Sequence, residues 1–336
     1  MKAAVLAEPK KFAIKDVPMP AINKSEVLIK VHACGVCGSD LTLYKLGPFR
    51  EGQILGHEFT GEIIELGQEV KNWEKGDRVV INPTIPCGEC YCCKEHKSNI
   101  CEVYAVTGVT TDGGYAEYVK VPAYQMYRIP DEMSYEEGTL FQPMSSAQHA
   151  VKISNMQLGD TVVIFGAGPS GLLAMLWSKA FGAEKVIAVE VDEHRIAIAK
   201  KFADAVFDPS KDDVIAEINK LTDNIGPQAV IECSGNTKAQ SQALDIVKKG
   251  GCVVIYGVSH DSDPTPVNFQ TITTREITIK GALASHEGAY PLSIQAVKSK
   301  KIDTSLIPLM KVELNDIGKA FETLLKGEEV KAVVVF

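Results

Sequence analysis

The sequence predicts an α/β protein of two unlike parts, a β-rich region and a doubly wound parallel sheet. Up to about Tyr127 the apolar runs are short, often alternate, and are separated by Gly, Pro, Asn and Asp, which is strand-and-turn chemistry. Beyond Gly159 strand-like and helical runs take turns, and that alternation builds βαβ units. The length of 336 residues fits two domains on a prior of about 150 residues each. With 45% hydrophobic and 23% charged residues, such a chain buries a substantial core without metals or staples.

Taken in order, Glu26–Val31, Phe59–Leu66 and Asp77–Ile81 read as strands, and the pattern turns helical from Ser134 to Ile153. Then come strand Thr161–Phe165, helix Pro169–Gly182, strand Lys185–Val189 and helix Glu193–Phe202. Helix Asp212–Leu221, strand Ala229–Cys233, helix Thr237–Lys248 and strand Cys252–Tyr256 come next. The tail adds helix Asp316–Lys326 and strand Lys331–Phe336, and there is no internal repeat or linker rich in Gly and Ser.

Composition limits the partners. Acidic side chains number 43 against 35 basic ones, a formal charge of −8 and a pI near 5.5. That balance gives no global attraction to phosphate backbones or anionic lipid, so neither nucleic acid nor membrane is expected. The opening Met1–Asp16 lacks the pattern of a secretory signal, and nowhere do 18 apolar residues run together. The expected location is cytoplasmic. Five of the nine cysteines fall between Cys87 and Cys101, and in a reducing compartment such clustering points to metal rather than to disulfides.

Thr161-Val-Val-Ile-Phe165 runs into Gly166-Ala-Gly168-Pro169-Ser170-Gly171 and then an apolar helix. The first glycine allows the tight turn, the second lets a pyrophosphate approach the backbone, and the third permits close strand–helix packing, with phosphates held at the helix N-terminus. Three glycines alone would mark no more than a loop. Here Glu190 also comes 19 positions after Gly171, at the end of the next strand. An acid there accepts hydrogen bonds from the ribose hydroxyls and repels a 2′-phosphate, which favours NAD over NADP. Arg195 pulls the other way, since a nearby arginine is how NADP enzymes receive that phosphate.

Within residues 86–102, Cys87, Cys90, Cys93 and Cys101 are spaced as Cys-x2-Cys-x2-Cys-x7-Cys. Four thiolates make a closed tetrahedral zinc shell, which holds structure and does no chemistry. An iron–sulfur cluster and a zinc ribbon gripping nucleic acid are the rivals, the second disfavoured by the acidic balance. Cys92 breaks the spacing. Nearer the N-terminus stand Cys34-Gly-Val-Cys37-Gly-Ser39-Asp40 and Gly56-His57-Glu58. A CxxC alone reads equally as a redox pair, and a lone histidine as a structural residue. Together Cys37, His57 and Glu58 offer a thiolate, an imidazole and a carboxylate, and three protein ligands with a fourth place open is the arrangement of a catalytic zinc. Asp40 is placed to orient the histidine from outside the ligand set.

The order Cys37-Gly-Ser-Asp, Gly56-His-Glu, Gly76-Asp-Arg-Val79, the four cysteines, Gly113-Gly-Tyr-Ala-Glu117, Gly166-Ala-Gly-Pro-Ser-Gly171, Ile231-Glu-Cys-Ser-Gly235, Gly250-Gly251 and Glu276-Ile-Thr-Ile-Lys-Gly281 resembles the zinc-dependent medium-chain alcohol/polyol dehydrogenases. It is most similar to their sorbitol dehydrogenase and threonine dehydrogenase-like branch. The resemblance implies a GroES-like β-rich catalytic domain from residues 1–146 and 283–336, with a Rossmann NAD-binding domain, 147–282, inserted between. It implies two zinc ions per chain, one catalytic on Cys37, His57 and Glu58, one structural on Cys87, Cys90, Cys93 and Cys101. It implies cofactor contacts from Ser170, Glu190, Arg195, Tyr256, Gly257 and Val258, and a homodimer or homotetramer. The implied reaction is the reversible oxidation of a secondary alcohol to a ketone, with zinc as Lewis acid and NAD as hydride acceptor.

Two positions depart from the family. Gln142-Pro-Met-Ser145 stands where relatives read Glu-Pro-Leu-Ser, putting a neutral amide near the zinc. Thr42 stands where they carry a relay histidine, so proton exit is expected through Ser39, Thr42, a ribose hydroxyl and water. The polyol relatives' arginine and tyrosine after Lys280-Gly281 are missing, and Leu43 replaces another tyrosine. A polyol, a polyol phosphate, a vicinal diol such as butanediol or a 3-hydroxy amino acid therefore all remain open as substrate, with Lys45, Arg50 and His286 the cations that could meet an anionic group or simply be solvated surface. A zinc-free reductase of the same superfamily and a non-catalytic NAD-binding protein are the competing classes.

Overall fold

The structure is a computed structural model that describes residues 1–259, 264–286 and 288–336. The strands, in chain order, are β1 (Lys2–Glu8), β2 (Lys11–Asp16), β3 (Glu26–Gly35), β4 (Glu58–Leu66), β5 (Arg78–Ile81), β6 (Thr84–Ile85), β7 (Ala105–Val106), β8 (Tyr118–Pro122) and β9 (Met126–Arg128). They continue with β10 (Thr161–Phe165), β11 (Lys185–Val189), β12 (Ala205–Phe207), β13 (Ala229–Glu232), β14 (Cys252–Ile255), β15 (Thr278–Gly281), β16 (Met310–Glu313) and β17 (Ala332–Val335). The chain divides into two units, residues 1–142 with 286–336, and residues 143–285.

The first unit is built on a sheet of order β16-β17-β3-β4-β5-β9, with β8 also paired to β3. Its centre is β3, whose Val27, Leu28, Ile29, Val31, Ala33 and Cys34 are all buried. The register at the end of this strand places Cys34 opposite Phe59 and Gly35 opposite Glu58 on β4, while Gly35 also faces Val333 on β17. The end of β3 and the starts of β4 and β17 are thereby brought side by side. An aromatic cluster of Phe12, Tyr44, Tyr115 and Phe321 packs in this unit, with Phe12 and Tyr44 stacked at 5.2 Å.

The second unit carries a six-stranded sheet, β12-β11-β10-β13-β14-β15, parallel throughout. Val163, Phe165, Ile187, Val189, Val230 and Val253 form the middle of its core. These strands read as continuous apolar runs because helices cover both faces of a parallel sheet. The strand order reverses between β10 and β13, which leaves a crevice at their carboxyl ends.

Among the described residues, three helices of seven residues or more depart from the sequence expectations. Gly38–Leu46 interrupts a region that reads as β; its N-cap is Cys37, outside the usual Ser, Thr, Asp and Asn set, so the start signal is hidden. Phe269–Arg275 is rich in threonine, and Asn268 Oδ1 secures its first turn by accepting the N–H of Gln270 at 2.9 Å. Ala289–Lys298 carries Pro291 in its first turn, where the missing N–H costs nothing. Among the described residues no helix is long and apolar enough to cross a membrane.

Candidate functional site

The register of β3, β4 and β17 assembles the first donor set. Leaving β3, the chain turns at Cys37, whose N–H donates to Asp40 Oδ2 at 3.0 Å. His57 immediately precedes β4 and Glu58 opens it. One ligand atom from each of Cys37, His57 and Glu58 lies within 4.8 Å of the others. The tightness depends on two glycines. A Cβ on Gly56, which has φ +97°, would meet Cys34 Sγ at 2.8 Å, and one on Gly35 would meet Glu58 Oε2 at 2.4 Å.

Charge is arranged around this triad. Asp40 Oδ1 lies 3.4 Å from His57 Nδ1, and neither buried atom has a hydrogen-bond partner, so the carboxylate is placed to orient the ring. Asp40 is fully buried and also accepts the Tyr115 hydroxyl at 2.9 Å. Burial alone would lower the His57 pKa, yet Asp40 and Cys37 together raise it well above its ordinary value. The negative potential of Asp40 and Cys37 that holds a proton on this ring would equally favour a metal cation bound to the neutral imidazole in the proton's place. Glu58 Oε2 accepts from the buried Lys331 ammonium, which also donates to Val36 carbonyl oxygen at 3.0 Å. Glu58 Oε1 is buried without a hydrogen-bond partner. An orphaned carboxylate oxygen beside a thiol and an imidazole fits an open zinc site.

Ser39 is exposed on the first turn of the Gly38–Leu46 helix. One turn along, Thr42 is half-buried and donates its hydroxyl to Gly38 carbonyl oxygen at 3.2 Å. Gln142 is buried near the start of the Phe141–Ile153 helix.

The four-cysteine lobe is a second donor set. Sulfur–sulfur separations are 3.5 Å for Cys87 and Cys101, 3.8 Å for Cys90 and Cys101, and 4.0 Å for Cys87 and Cys93. Tetrahedral bonds of about 2.3 Å put sulfurs about 3.8 Å apart, so the cluster fits zinc. All nine cysteines are free thiols, and Cys92 is outside the quartet. Backbone N–H groups of Glu102 and Cys93 pull the Cys90 thiol down to about 6.

In the second unit Gly166 has φ +92°, and a Cβ on Gly171 would stand 1.9 Å from Gly166 carbonyl oxygen. Gly168 caps the Pro169–Ala180 helix, with Pro169 at its first position and Ser170 half-exposed behind it. Glu190 is buried; Oε2 accepts the N–H of Ala167 at 2.7 Å, and Oε1 those of Val191 at 2.8 Å and Asp192 at 3.1 Å. Arg195 donates its backbone N–H to Asp192 Oδ1 at 2.9 Å, and its Nε is buried without a hydrogen-bond partner. A cavity of about 370 Å³ opens here, lined by Gly166, Glu190, Ser210, Ser234, Asn236 and Lys238. The backbone N–H groups of Tyr256 and Gly257 donate to Glu232 carbonyl oxygen, while Val258 is exposed. The sequence reading missed three residues at these places: Tyr115, Lys331 and Glu232. Lys331 had one visible signal, a lysine opening an otherwise apolar strand.

A dinucleotide-type glycine turn on a parallel sheet, in a chain that also carries an open metal donor set and a closed one, defines a metal-dependent nicotinamide oxidoreductase. Residues 23–131 match the alcohol dehydrogenase GroES-like domain and 169–299 the zinc-binding dehydrogenase family. Sorbitol dehydrogenase of Bacillus subtilis is 36% identical over 99% of this chain and 97% of its own. The crystal structure of 2R,3R-butanediol dehydrogenase from Bacillus subtilis superposes with a TM-score of 0.91 at 32% identity, covering 100% of this chain and 99% of that one. A zinc-binding dehydrogenase from Sinorhizobium meliloti, solved bound to NADP, gives 0.93 at 30% identity, covering 100% and 99%. The chain belongs to the zinc-dependent medium-chain alcohol and polyol dehydrogenases, oxidoreductases whose cofactors are zinc and a nicotinamide dinucleotide.

Proposed function

We propose that this enzyme reversibly oxidises a secondary alcohol of a polyol or vicinal diol to the ketone, with NAD as the hydride acceptor. The carrying observation is the cluster of Cys37, His57 and Glu58 within 4.8 Å, with Glu58 Oε1 buried and unpartnered. In this reading those three residues hold the catalytic zinc, which when bound supplies Lewis acidity toward the substrate hydroxyl. Asp40 orients His57 through Nδ1, and Gln142 is a neutral group near the metal. Ser39 and Thr42 carry the released proton outward; Thr42 Oγ1, which donates to Gly38, retains lone pairs to accept it.

Cys87, Cys90, Cys93 and Cys101 hold the structural zinc. Gly166, Gly168, Pro169, Ser170 and Gly171 cradle the pyrophosphate, Glu190 and Arg195 face the adenosine ribose, and Tyr256, Gly257 and Val258 contact the nicotinamide half. NAD is preferred over NADP because the Glu190 carboxylate repels a 2′-phosphate. Residues 1–146 and 283–336 form the catalytic domain and 147–282 the cofactor domain. A small-molecule alcohol is the partner, in a cytoplasmic homodimer or homotetramer. The names of the sorbitol and butanediol relatives support this substrate class.

The test is a panel of free polyols, phosphorylated polyols, vicinal diols and threonine, monitored by NADH formation and paired with metal analysis. Two zinc per chain and turnover of a polyol or diol are expected. Cys37→Ala should abolish turnover while leaving NADH binding measurable; normal turnover by a zinc-depleted Cys37→Ala enzyme would exclude this chemistry.

A further inference from the structure

Glu232 ends β13 with its side chain fully buried, and its two carboxylate oxygens and its carbonyl oxygen all hold turns of the crevice. Its Oε1 accepts the Ser234 N–H at 2.7 Å, the Gly235 N–H at 3.0 Å and the Ser234 hydroxyl. Its Oε2 accepts the Gly235 N–H at 3.1 Å. The Ser234 hydroxyl in turn accepts the Asn236 N–H at 3.1 Å, and Asn236 Oδ1 caps the Thr237–Ile246 helix. The carbonyl oxygen of Glu232 takes the N–H of Tyr256 at 2.8 Å and of Gly257 at 2.7 Å. One residue therefore fastens both turns that leave the sheet beyond the reversal of strand order.

Those turns have no slack. A Cβ on Gly257 would stand 2.2 Å from Gly235 N, and one on Gly166 3.1 Å from Ser234 N. The 234–236 turn is thus clamped between the 256–257 turn and the glycine turn after β10. Ser234, Asn236 and Gly166 line the same cavity of about 370 Å³ as Glu190. Burying a carboxylate among apolar strands is costly unless its oxygens are satisfied, and here backbone N–H groups satisfy them.

We propose that Glu232 is a positioning residue for the dinucleotide, its carboxylate holding the 234–236 turn at the distance from Gly166 that the cofactor requires. This rests on the reading of the crevice as the NAD site. Glu190 fixes the opposite wall in the same manner, through Ala167, Val191 and Asp192, so two acidic residues, at the ends of the two strands that flank β10, frame the opening. Only Glu190 falls at a position that the dinucleotide motif marks.

The experiment is fluorescence titration with NADH of the wild type, Glu232→Gln and Ser234→Ala, with zinc content and circular dichroism as controls on folding. Glutamine keeps the shape but turns an N–H2 toward the Gly235 N–H. Its NADH Kd should rise about tenfold or more, equivalent to about 1.4 kcal/mol, with KM for NAD rising in parallel and kcat at saturating NAD falling far less. Ser234→Ala, which keeps the backbone bonds, should raise Kd about threefold. An NADH Kd within about twofold of wild type in Glu232→Gln, or in Ser234→Ala should the first variant not fold, overturns the inference. So does a fall in kcat equal to the rise in KM, the mark of a merely structural defect. A wild type that fails to bind NADH overturns the reading of the crevice itself, an outcome distinct from both.

Discussion

Lys331 and Glu58, 273 residues apart in sequence, are in direct contact as a buried ion pair, each side chain about 1% exposed. The pair closes the sheet across β17, β3 and β4, and its anionic member is also a candidate metal ligand. Removing one partner of a buried pair leaves an uncompensated charge and costs about 3–5 kcal/mol. Zinc, as a second cation beside Glu58, should offset most of that loss. Lys331→Met is therefore expected to lower Tm far more in chelator-treated enzyme than in zinc-loaded enzyme, and Glu58→Gln in the same chain should restore much of the apo stability. Thermal unfolding with and without chelator reads this directly. Equal losses in both states would mean that Lys331 acts only in packing.

Tyr115 predicts a subtler effect. Burial, with Asp40 beside it, pushes its phenol well above the ordinary value, so it keeps its proton and donates to Asp40 Oδ2 at 2.9 Å. Asp40 in turn faces His57 Nδ1 at 3.4 Å. Partners of this kind, outside the ligand set, change metal affinity about 10–100-fold when lost. Tyr115→Phe should release zinc to a chelator about tenfold faster while leaving the NADH Kd unchanged; an unaltered release rate would break the link from Tyr115 through Asp40.

Local signals carry far in this sequence, and long-range ones do not. Thr161–Phe165 and Lys185–Val189 are strands at the expected bounds, because apolar runs between a glycine turn and a helix leave no other period. The four-cysteine set is legible for the same reason, since spacing within a turn constrains which sulfurs meet, whereas Cys37, His57 and Glu58 are legible as a complementary set of ligand types that the register of β3 and β4 then brings together. Lys331 is not, because its partner lies on another strand and only the β17–β3–β4 register brings them together. Glu232 is hidden within a longer motif, its role visible only once the backbone N–H groups around it are placed. The Gly38–Leu46 helix escapes because Cys37 is an unusual cap.

Glu190 should govern the choice of cofactor. Its carboxylate ties down the N–H groups of Ala167, Val191 and Asp192. Glu190→Ala removes the negative charge and frees those three donors, converting a phosphate-repelling corner into one with amides aimed at an anion. The ratio of kcat/KM for NAD over NADP should fall about tenfold or more, about 1.4 kcal/mol of discrimination. Steady-state kinetics with both cofactors measures it, and an unchanged ratio would remove Glu190 from the specificity argument.

The four-cysteine lobe gives a prediction in pH. N–H groups of Glu102 and Cys93 lower the Cys90 thiol to about 6, whereas burial raises Cys93 to about 12. A depressed thiol is thiolate above its pKa and protonated below it, and only the thiolate is alkylated. In zinc-stripped enzyme, iodoacetamide labelling of Cys90 should therefore rise through a midpoint near 6, with Cys93 still unreactive at neutral pH. Restoring zinc should protect both, since coordination ties up the sulfur electron density that would attack and the four-sulfur shell is closed. Peptide mass spectrometry after timed labelling resolves each cysteine separately. Equal labelling of Cys90 with and without zinc would show that the lobe holds no metal.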